Sequence, residues 1–214
     1  MFALASLAGE GFTNEVFRTL LLFIVLINPV SKIGICFSLR DSMNRSELRR
    51  LALRSNLIGL VTLVVFALAG TFIVRNLFQI ELYSLQLAGG AVLFIVGLHA
   101  LQSGEFFEMK SGMSLQDISC VPIAMPLIAG PATITAAISK TAAYGPLVVT
   151  LSLLLATGIN LFIMIYSMGL GKFLDSWKLL GPLVRITGLF IAAIGADMML
   201  NGLSQWISSA GIGL

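Results

Sequence analysis

Two proline-centred dipeptides, each inside an apolar stretch, have the residue types best suited to bind a small solute. They are Asn28-Pro29 and Gly130-Pro131. Proline lacks an amide donor and clashes with the preceding turn, so a helix tends to end before it. Proline is also favoured at the first position of a new helix, with Asn or Gly as a suitable N-cap just ahead of it. Each dipeptide therefore predicts that one half-helix ends and a second one begins.

Such breaks leave backbone groups that can bind a ligand. The free amides at a helix N-terminus favour a carboxylate, and the freed carbonyls of the preceding half-helix can accept hydrogen bonds from an ammonium group. A small zwitterion satisfies both. The predicted substrate-binding residues are Asn28, Pro29, Val30, Ser31, Gly130, Pro131, Ala132 and Thr133. The alternative is a pair of ordinary proline kinks, which are common in membrane helices.

Three further polar residues are candidates for ion coupling or for lining a cavity. Lys32 stands four residues after Asn28 and would favour a more anionic cargo if it faces the site; the alternative is that it reaches the cytoplasmic headgroups. Asp197 is the only acid in an otherwise uncharged apolar segment, which makes it the candidate for proton coupling unless it lies at the outer interface. Asn160 either lines the cavity or forms a hydrogen bond between helices.

The elements that position these residues are membrane helices. Of the 214 residues, 57% are hydrophobic and only 11% are charged, and the mean hydropathy is +0.99. Several stretches without charge reach the roughly 18 to 20 residues that cross a bilayer as a helix. This composition excludes a soluble enzyme, and runs that are apolar on every side exclude the alternating strands of a membrane barrel. The six predicted spans are 16–39, 55–74, 82–101, 118–139, 146–170 and 180–203.

Basic residues predict the orientation of these spans. The connections after spans 1, 3 and 5 carry eight of them, against three on the opposite side. The eight are Arg40, Arg45, Arg49, Arg50, Arg54, Lys110, Lys172 and Lys178. The excess places these connections in the cytoplasm and both termini outside. We expect the Arg-rich segment 42–54 to lie as a helix near anionic headgroups, so the net charge of +3 does not indicate nucleic acid binding.

The second half of the chain repeats the first. An offset of 98 superposes Gly90 on Gly188 and Gly97 on Gly195, and both proline breaks fall in the first span of their half. Each half holds three spans, so the second must enter the membrane from the opposite side, as in many secondary transporters. We therefore predict an all-α fold of two inverted-topology three-helix repeats with spans 1 and 4 broken. The repeats are 1–104 and 118–214, joined by a cytoplasmic connection, 105–117.

Several of these sequences together resemble the MarC family of integral membrane proteins. The resemblance runs from Asn28-Pro-Val30 through Ala88-Gly-Gly-Ala-Val-Leu-Phe94 and Val121-Pro-Ile-Ala-Met-Pro126 to Arg185-Ile-Thr-Gly-Leu189. It implies a multi-pass protein of the cell, or inner, membrane with six spans. It also implies transport of small neutral amino acids such as glycine and alanine, driven by the proton gradient.

The predicted function is therefore a secondary transporter that works by alternating access around a midplane site, with a proton or another ion as coupling partner. A channel is the main alternative, because opposed half-helix N-termini also occur in water pores. An enzyme is not expected, since the chain has one histidine and lacks a convincing nucleophile and base. No cofactor, metal site or nucleic acid partner is predicted, and the sequence leaves any oligomeric partner open.

Overall fold

A computed structural model describes residues 2–38, 44–104 and 128–211, and every regular element within them is helical. The helices are α1 Phe2–Ile27, α2 Pro29–Ser38, α3 Arg45–Phe72, α4 Leu82–Ser103, α5 Pro131–Tyr144, α6 Pro146–Ser176 and α7 Leu180–Ser209. A π-helical turn, Ile73–Leu77, extends α3. The prediction of an all-α fold is confirmed for this part of the chain.

Five helical segments in the described residues are long and apolar enough to cross a membrane. They are Gly11–Phe37, Arg45–Leu77, Leu82–Ser103, Pro146–Ser176 and Leu180–Ser209, which correspond to predicted spans 1, 2, 3, 5 and 6. The chain is thus a multi-pass membrane protein. Of predicted span 4, the second half is described as α5, whereas residues 118–127 and the predicted connection 105–117 lie outside the described residues.

Two helices begin earlier than the hydropathy pattern indicates. Helix α1 starts at Phe2 rather than near residue 16. Helix α3 starts at Arg45, so its basic first turns continue directly into span 2 and do not form a separate surface helix. A capping box fixes this start, because the Glu47 amide donates to Asn44 Oδ1 and the Asn44 amide donates to the Glu47 carboxylate, each at 2.9 Å.

Contacts between helices fix their relative directions. Helices α1 and α2 run parallel to α6, since the Ser152 hydroxyl donates to the Val16 carbonyl and Gly171 packs against Phe37. Helix α5 runs parallel to α3. Ile128, just before α5, packs against Gly59, and Ile138 of α5 packs against Gly70, so the two chains advance in the same direction. Leu48, near the start of α3, belongs to the same buried cluster as Met164, whereas Leu63, later in α3, clusters with Leu153. Position increases along α3 as it decreases along α6, so the two helices are antiparallel.

Helices α4 and α7 form a close antiparallel pair through the four glycines of the repeat. A Cβ at Gly90 would lie 2.6 Å from the Gly195 carbonyl oxygen, and one at Gly97 would lie 2.6 Å from that of Gly188. Real Cβ atoms do not approach so closely, so only glycine permits this separation of the two backbones. The pair closes one side of the bundle and carries residues that line the site described next.

Candidate functional site

A cavity of about 80 Å³ lies where the two proline-centred segments meet helices α4 and α7. Six of the predicted substrate-binding residues line it, together with Lys32 and an apolar surface. The lining consists of Leu26, Ile27, Asn28, Ser31, Lys32, Val92, Leu93, Val96, Gly130, Pro131, Ala132, Thr133 and Ile191. The structure thus brings together residues that are about 100 positions apart in the chain.

The helix interruption at Asn28 forms one side of the cavity. Helix α1 ends at Ile27, Asn28 has a φ of +52°, and α2 begins at Pro29. Asn is among the few residues that adopt this left-handed conformation readily. The Ser31 amide donates to Asn28 Oδ1 at 3.3 Å, and the Ser31 hydroxyl donates to the Asn28 carbonyl at 2.8 Å. These bonds cap the first turn of α2.

The side chain of Asn28 keeps one donor available. Asn28 is 5% exposed, and its Nδ2 has no hydrogen-bond partner among the described residues. Because Oδ1 already accepts from Ser31 and the residue lines the cavity, Nδ2 is a buried donor beside that space. Burying an amide donor without a partner costs the free energy of its lost hydration. A bound ligand that accepts a hydrogen bond from it would offset that cost.

The Gly130-Pro131 segment forms the opposite side. Gly130 has φ −68° and ψ 163° and is the N-cap of α5, which begins at Pro131, so the N-cap has no side chain to bond the first amides. The first amides of a helix lack partners within the helix and carry positive partial charge. Ala132 and Thr133 lie in this first turn and line the cavity. The α5 N-terminus therefore presents backbone donors to the same space as Asn28.

Lys32 lies inside the protein and not at the headgroups. Its side chain is 1% exposed, lines the cavity, and donates through Nζ to the Ile27 carbonyl. In an unbroken helix that carbonyl would accept from the Ser31 amide, which here donates to Asn28 instead. Lys32 therefore lies among the residues that line the cavity. Its effect on the charge of the cargo stays a prediction.

The remaining candidates lie elsewhere. Pro29 and Val30 belong to the first turn of α2 but are not among the residues that line the cavity. Asn160 is fully buried and donates through Nδ2 to Asn56 Oδ1 at 2.8 Å, which is the bond between helices expected as its alternative role. Asp197 has an exposed side chain that accepts from Asn201 Nδ2 at 3.0 Å, away from the cavity. Its part in proton coupling stays a prediction.

Sequence reasoning missed the apolar side of the cavity. Val92, Leu93 and Val96 of α4 and Ile191 of α7 lie there. Nothing in an apolar residue type distinguishes a cavity from a core. The repeat nevertheless contained a signal, because the offset of 98 that aligns the glycines also superposes Leu93 on Ile191.

Several hydrogen-bond donors belong to the residues that line the cavity. They include the Asn28 amide, the Lys32 amino group, the hydroxyls of Ser31 and Thr133, and the first amides of α5. Among the described residues that line the cavity none is acidic. In the described part of the chain, no group of three or more His, Cys, Asp or Glu side chains is placed to hold a metal ion. The arrangement suits a small ligand that supplies acceptors, such as a carboxylate.

Residues 13–207 match the model of the MarC family integral membrane proteins. The chain belongs to the MarC family. A UPF0056 membrane protein of Pyrococcus horikoshii is 41% identical over 189 residues, covering 88% of this MarC chain and 93% of the relative. The inner membrane protein YhgN of Escherichia coli K12, also of UPF0056, is 27% identical over 201 residues, covering 91% of this chain and 98% of the relative. No solved structure matches this MarC chain.

Proposed function

We propose that this MarC protein is a secondary transporter that moves small neutral amino acids such as glycine and alanine. The observation that carries the proposal is the cavity at which two helix N-termini meet, beside the Asn28 Nδ2 that has no partner among the described residues. Transport proceeds by alternating access around this site and is coupled to the proton gradient. The protein is not an enzyme, and both its termini lie outside the cell (inner) membrane. The name of the Escherichia coli relative, an inner membrane protein, supports the choice of membrane.

The directions of the helices support an inverted repeat with two broken helices. Helix α2 runs parallel to α6, α5 runs parallel to α3, and α3 and α6 are antiparallel. Helices α2 and α5 therefore point in opposite directions, with both N-termini at the cavity. Opposed half-helices that meet at a shared site are the arrangement found in inverted-repeat transporters.

The α4–α7 contacts support the repeat independently. Exchanging the two halves by the offset of 98 replaces Gly90 by Gly188 and Gly195 by Gly97. The pairs Gly90–Gly195 and Gly188–Gly97 are both in contact. The pair Leu87–Gly202 is likewise carried onto Arg185–Gly104, again a contact. A two-fold axis between α4 and α7 would relate the halves in this way.

The size of the cavity fits a cargo of a few heavy atoms. A water needs about 10 to 15 Å³ of such space, so 80 Å³ holds about five to eight water-sized groups. Glycine and alanine have five and six heavy atoms. The apolar side chains of Leu93 and Ile191 would contact the carbon skeleton, and the donors at Asn28 and the α5 N-terminus would bind the carboxylate.

Reconstitution tests the proposal directly. Labelled glycine and alanine are offered to proteoliposomes with and without an imposed pH gradient. Accumulation above equilibrium that an uncoupler abolishes is the expected result. Saturable flux without accumulation would contradict proton coupling. Absence of amino acid flux together with rapid osmotic permeability would favour the channel, whose support is the same pair of opposed N-termini.

Gly130→Leu places a bulky side chain at the cavity. Since Gly130 has an ordinary φ of −68°, leucine is not strained there. We expect binding and uptake to be lost because the side chain occupies the space of the cargo. Gly158→Leu is the matched control, since Gly158 is exposed on α6 and a Cβ there meets nothing within 4 Å. Equal affinity in a folded Gly130→Leu protein would remove the cavity as the site.

A further inference from the structure

A groove of about 350 Å³ runs along the contact between α3 and α6, on the outside of the helix bundle. Leucines of both helices form its walls, and the buried residues Asn56 and Thr157 form its base. The lining consists of Leu53, Arg54, Asn56, Leu57, Leu60, Leu154, Thr157, Gly158 and Leu161. None of these residues lines the cavity at Asn28, so the groove is a separate site.

The absence of a side chain at Gly158 provides room in this groove. Gly158 lies in the interior of α6, where glycine is less favourable to a helix than alanine is. A Cβ there would meet nothing within 4 Å, whereas one at Gly90 or Gly97 would meet the backbone of the facing helix. Close packing of helices therefore accounts for Gly90 and Gly97 but not for Gly158. What position 158 gains from glycine is space on the lipid-facing surface.

The groove has one polar end and one apolar end. Because α3 and α6 are antiparallel, Arg54 lies near the level of Leu161, and Leu60 lies near the level of Leu154. Six residues of helix separate Arg54 from Leu60, which is about 9 Å along the axis. Each leaflet contributes about half of a hydrocarbon core roughly 30 Å thick. The groove thus follows the direction of an acyl chain and accommodates the part of the chain nearest the head group.

Basic side chains lie at the polar end. Arg54 lines the groove and is exposed, and Arg50 is exposed one turn earlier on the same face of α3. Among the described residues that line the groove none is acidic. Glu47, in the first turn of α3, has its carboxylate hydrogen-bonded to the Asn44 amide. Guanidinium groups bind phosphate through paired donors, and basic pockets between membrane helices bind the head groups of anionic lipids.

We propose that the α3–α6 groove binds an anionic phospholipid, with its phosphate at Arg54 and one acyl chain over Gly158 between the leucines of the two helices. The lipid is a structural ligand and not cargo. It covers Asn56, whose Oδ1 accepts from Asn160 Nδ2 at 2.8 Å in the hydrogen bond that joins α3 to α6. A zwitterionic phospholipid fits the same groove but brings its own cation to the basic end, so the site selects the anionic one.

Equilibrium binding of labelled phosphatidylglycerol and phosphatidylcholine with identical acyl chains is measured on the purified, delipidated full-length protein in a neutral detergent. We expect wild type to prefer phosphatidylglycerol at least about tenfold, the factor in Kd that a hydrogen bond between charged groups provides. Arg54→Gln should bring the two affinities within about threefold of each other. Arg75→Gln is its matched control and should keep the preference, since Arg75 is an exposed arginine near the opposite end of the same span.

Gly158→Leu fills the groove. It should weaken the binding of both lipids at least about tenfold, because the leucine side chain displaces about two or three acyl methylenes from the groove. Gly169→Leu is the matched control, since Gly169 is also exposed on α6, a Cβ there meets nothing within 4 Å, and it does not line the groove. Both variants should bind labelled alanine as wild type does, because neither position lines the cavity at Asn28.

Each outcome decides the inference. Equal affinity of wild type for the two lipids overturns it, and so does a wild-type preference in Arg54→Gln or an unchanged lipid affinity in Gly158→Leu. If neither lipid binds and Gly158→Leu converts a dimer into a monomer, a second copy of the chain occupies the groove and the inference is overturned. Alanine binding reports on the proposed transporter alone, so its loss leaves the lipid site standing. Should Gly158→Leu not fold, the comparison of Arg54→Gln with wild type decides, since Arg54 is exposed.

Discussion

Replacing Asn28 by glycine removes the amide side chain from the cavity and leaves the backbone conformation available. Asn28 has a φ of +52°, which glycine adopts without steric cost. The variant loses Nδ2, the donor without a partner in the described residues. It also loses Oδ1, which accepts from the Ser31 amide at 3.3 Å. Helix α2 keeps its Pro29 start, so we expect the fold to persist.

The size of the effect follows from the chemistry of the lost bond. A hydrogen bond to a charged group contributes about 1.5 to 3 kcal/mol. Because about 1.4 kcal/mol corresponds to a factor of ten in Kd, Asn28→Gly should weaken carboxylate binding about 10- to 150-fold. Asn28→Ala should lose the same affinity and, in addition, about 1 to 2 kcal/mol of stability, since alanine is strained at positive φ.

The assay is equilibrium binding of labelled alanine to the purified protein. Gln79→Gly is the matched control, because Gln79 has a φ of +54°, carries an amide side chain and is exposed in the connection between α3 and α4. It should bind the probe as wild type does. An affinity of Asn28→Gly within about threefold of wild type would refute a ligand contact by Nδ2.

Two further changes test the helix pair and the coupling. Gly97→Ala should lower the free energy of unfolding by about 1 to 2 kcal/mol, because its Cβ would lie 2.4 Å from the Ala192 backbone nitrogen and overpacking outweighs the better helix propensity of alanine. Denaturation beside Gly158→Ala, where a Cβ has open space, measures this, and equal stability would contradict it. Asp197→Asn should abolish accumulation driven by a pH gradient without altering cavity binding, because Asp197 does not line the cavity; unchanged gradient dependence in proteoliposomes would reject the coupling role.

The end of α1 at Ile27 and the start of α2 at Pro29 have a local cause in the sequence. Proline at position 29 and a residue that tolerates positive φ at position 28 act on their own backbone, whatever packs around them. The start of α5 at Pro131 follows from the same rule. The membrane segments could likewise be predicted, because burial in lipid depends on length and composition.

The start of α1 could not be predicted from hydropathy, because helix propensity continues past the apolar stretch to Phe2. The apolar side of the cavity depended on tertiary contact, as Leu93 and Ile191 differ in no local property from core residues. The pairing of Asn160 with Asn56 also joins two distant helices. The direction of the Lys32 side chain depends on the Ile27 carbonyl. This carbonyl can accept from Lys32 because the Ser31 amide donates to the Asn28 side chain instead.

The two proline-centred segments differ in which of their polar groups have hydrogen-bond partners, and the bilayer explains why this difference matters. Backbone groups at membrane depth must be satisfied by protein, water or ligand, since lipid offers no partner. At the end of α1 the Ile27 and Asn28 carbonyls accept from side chains of the protein itself, those of Lys32 and Ser31. At the start of α5 the N-cap Gly130 has no side chain to bond the first amides, and Asn28 Nδ2, which belongs to the same cavity lining, lacks a partner in the described residues. What this side of the cavity still needs is a hydrogen-bond acceptor, and the carboxylate of a small amino acid would supply one.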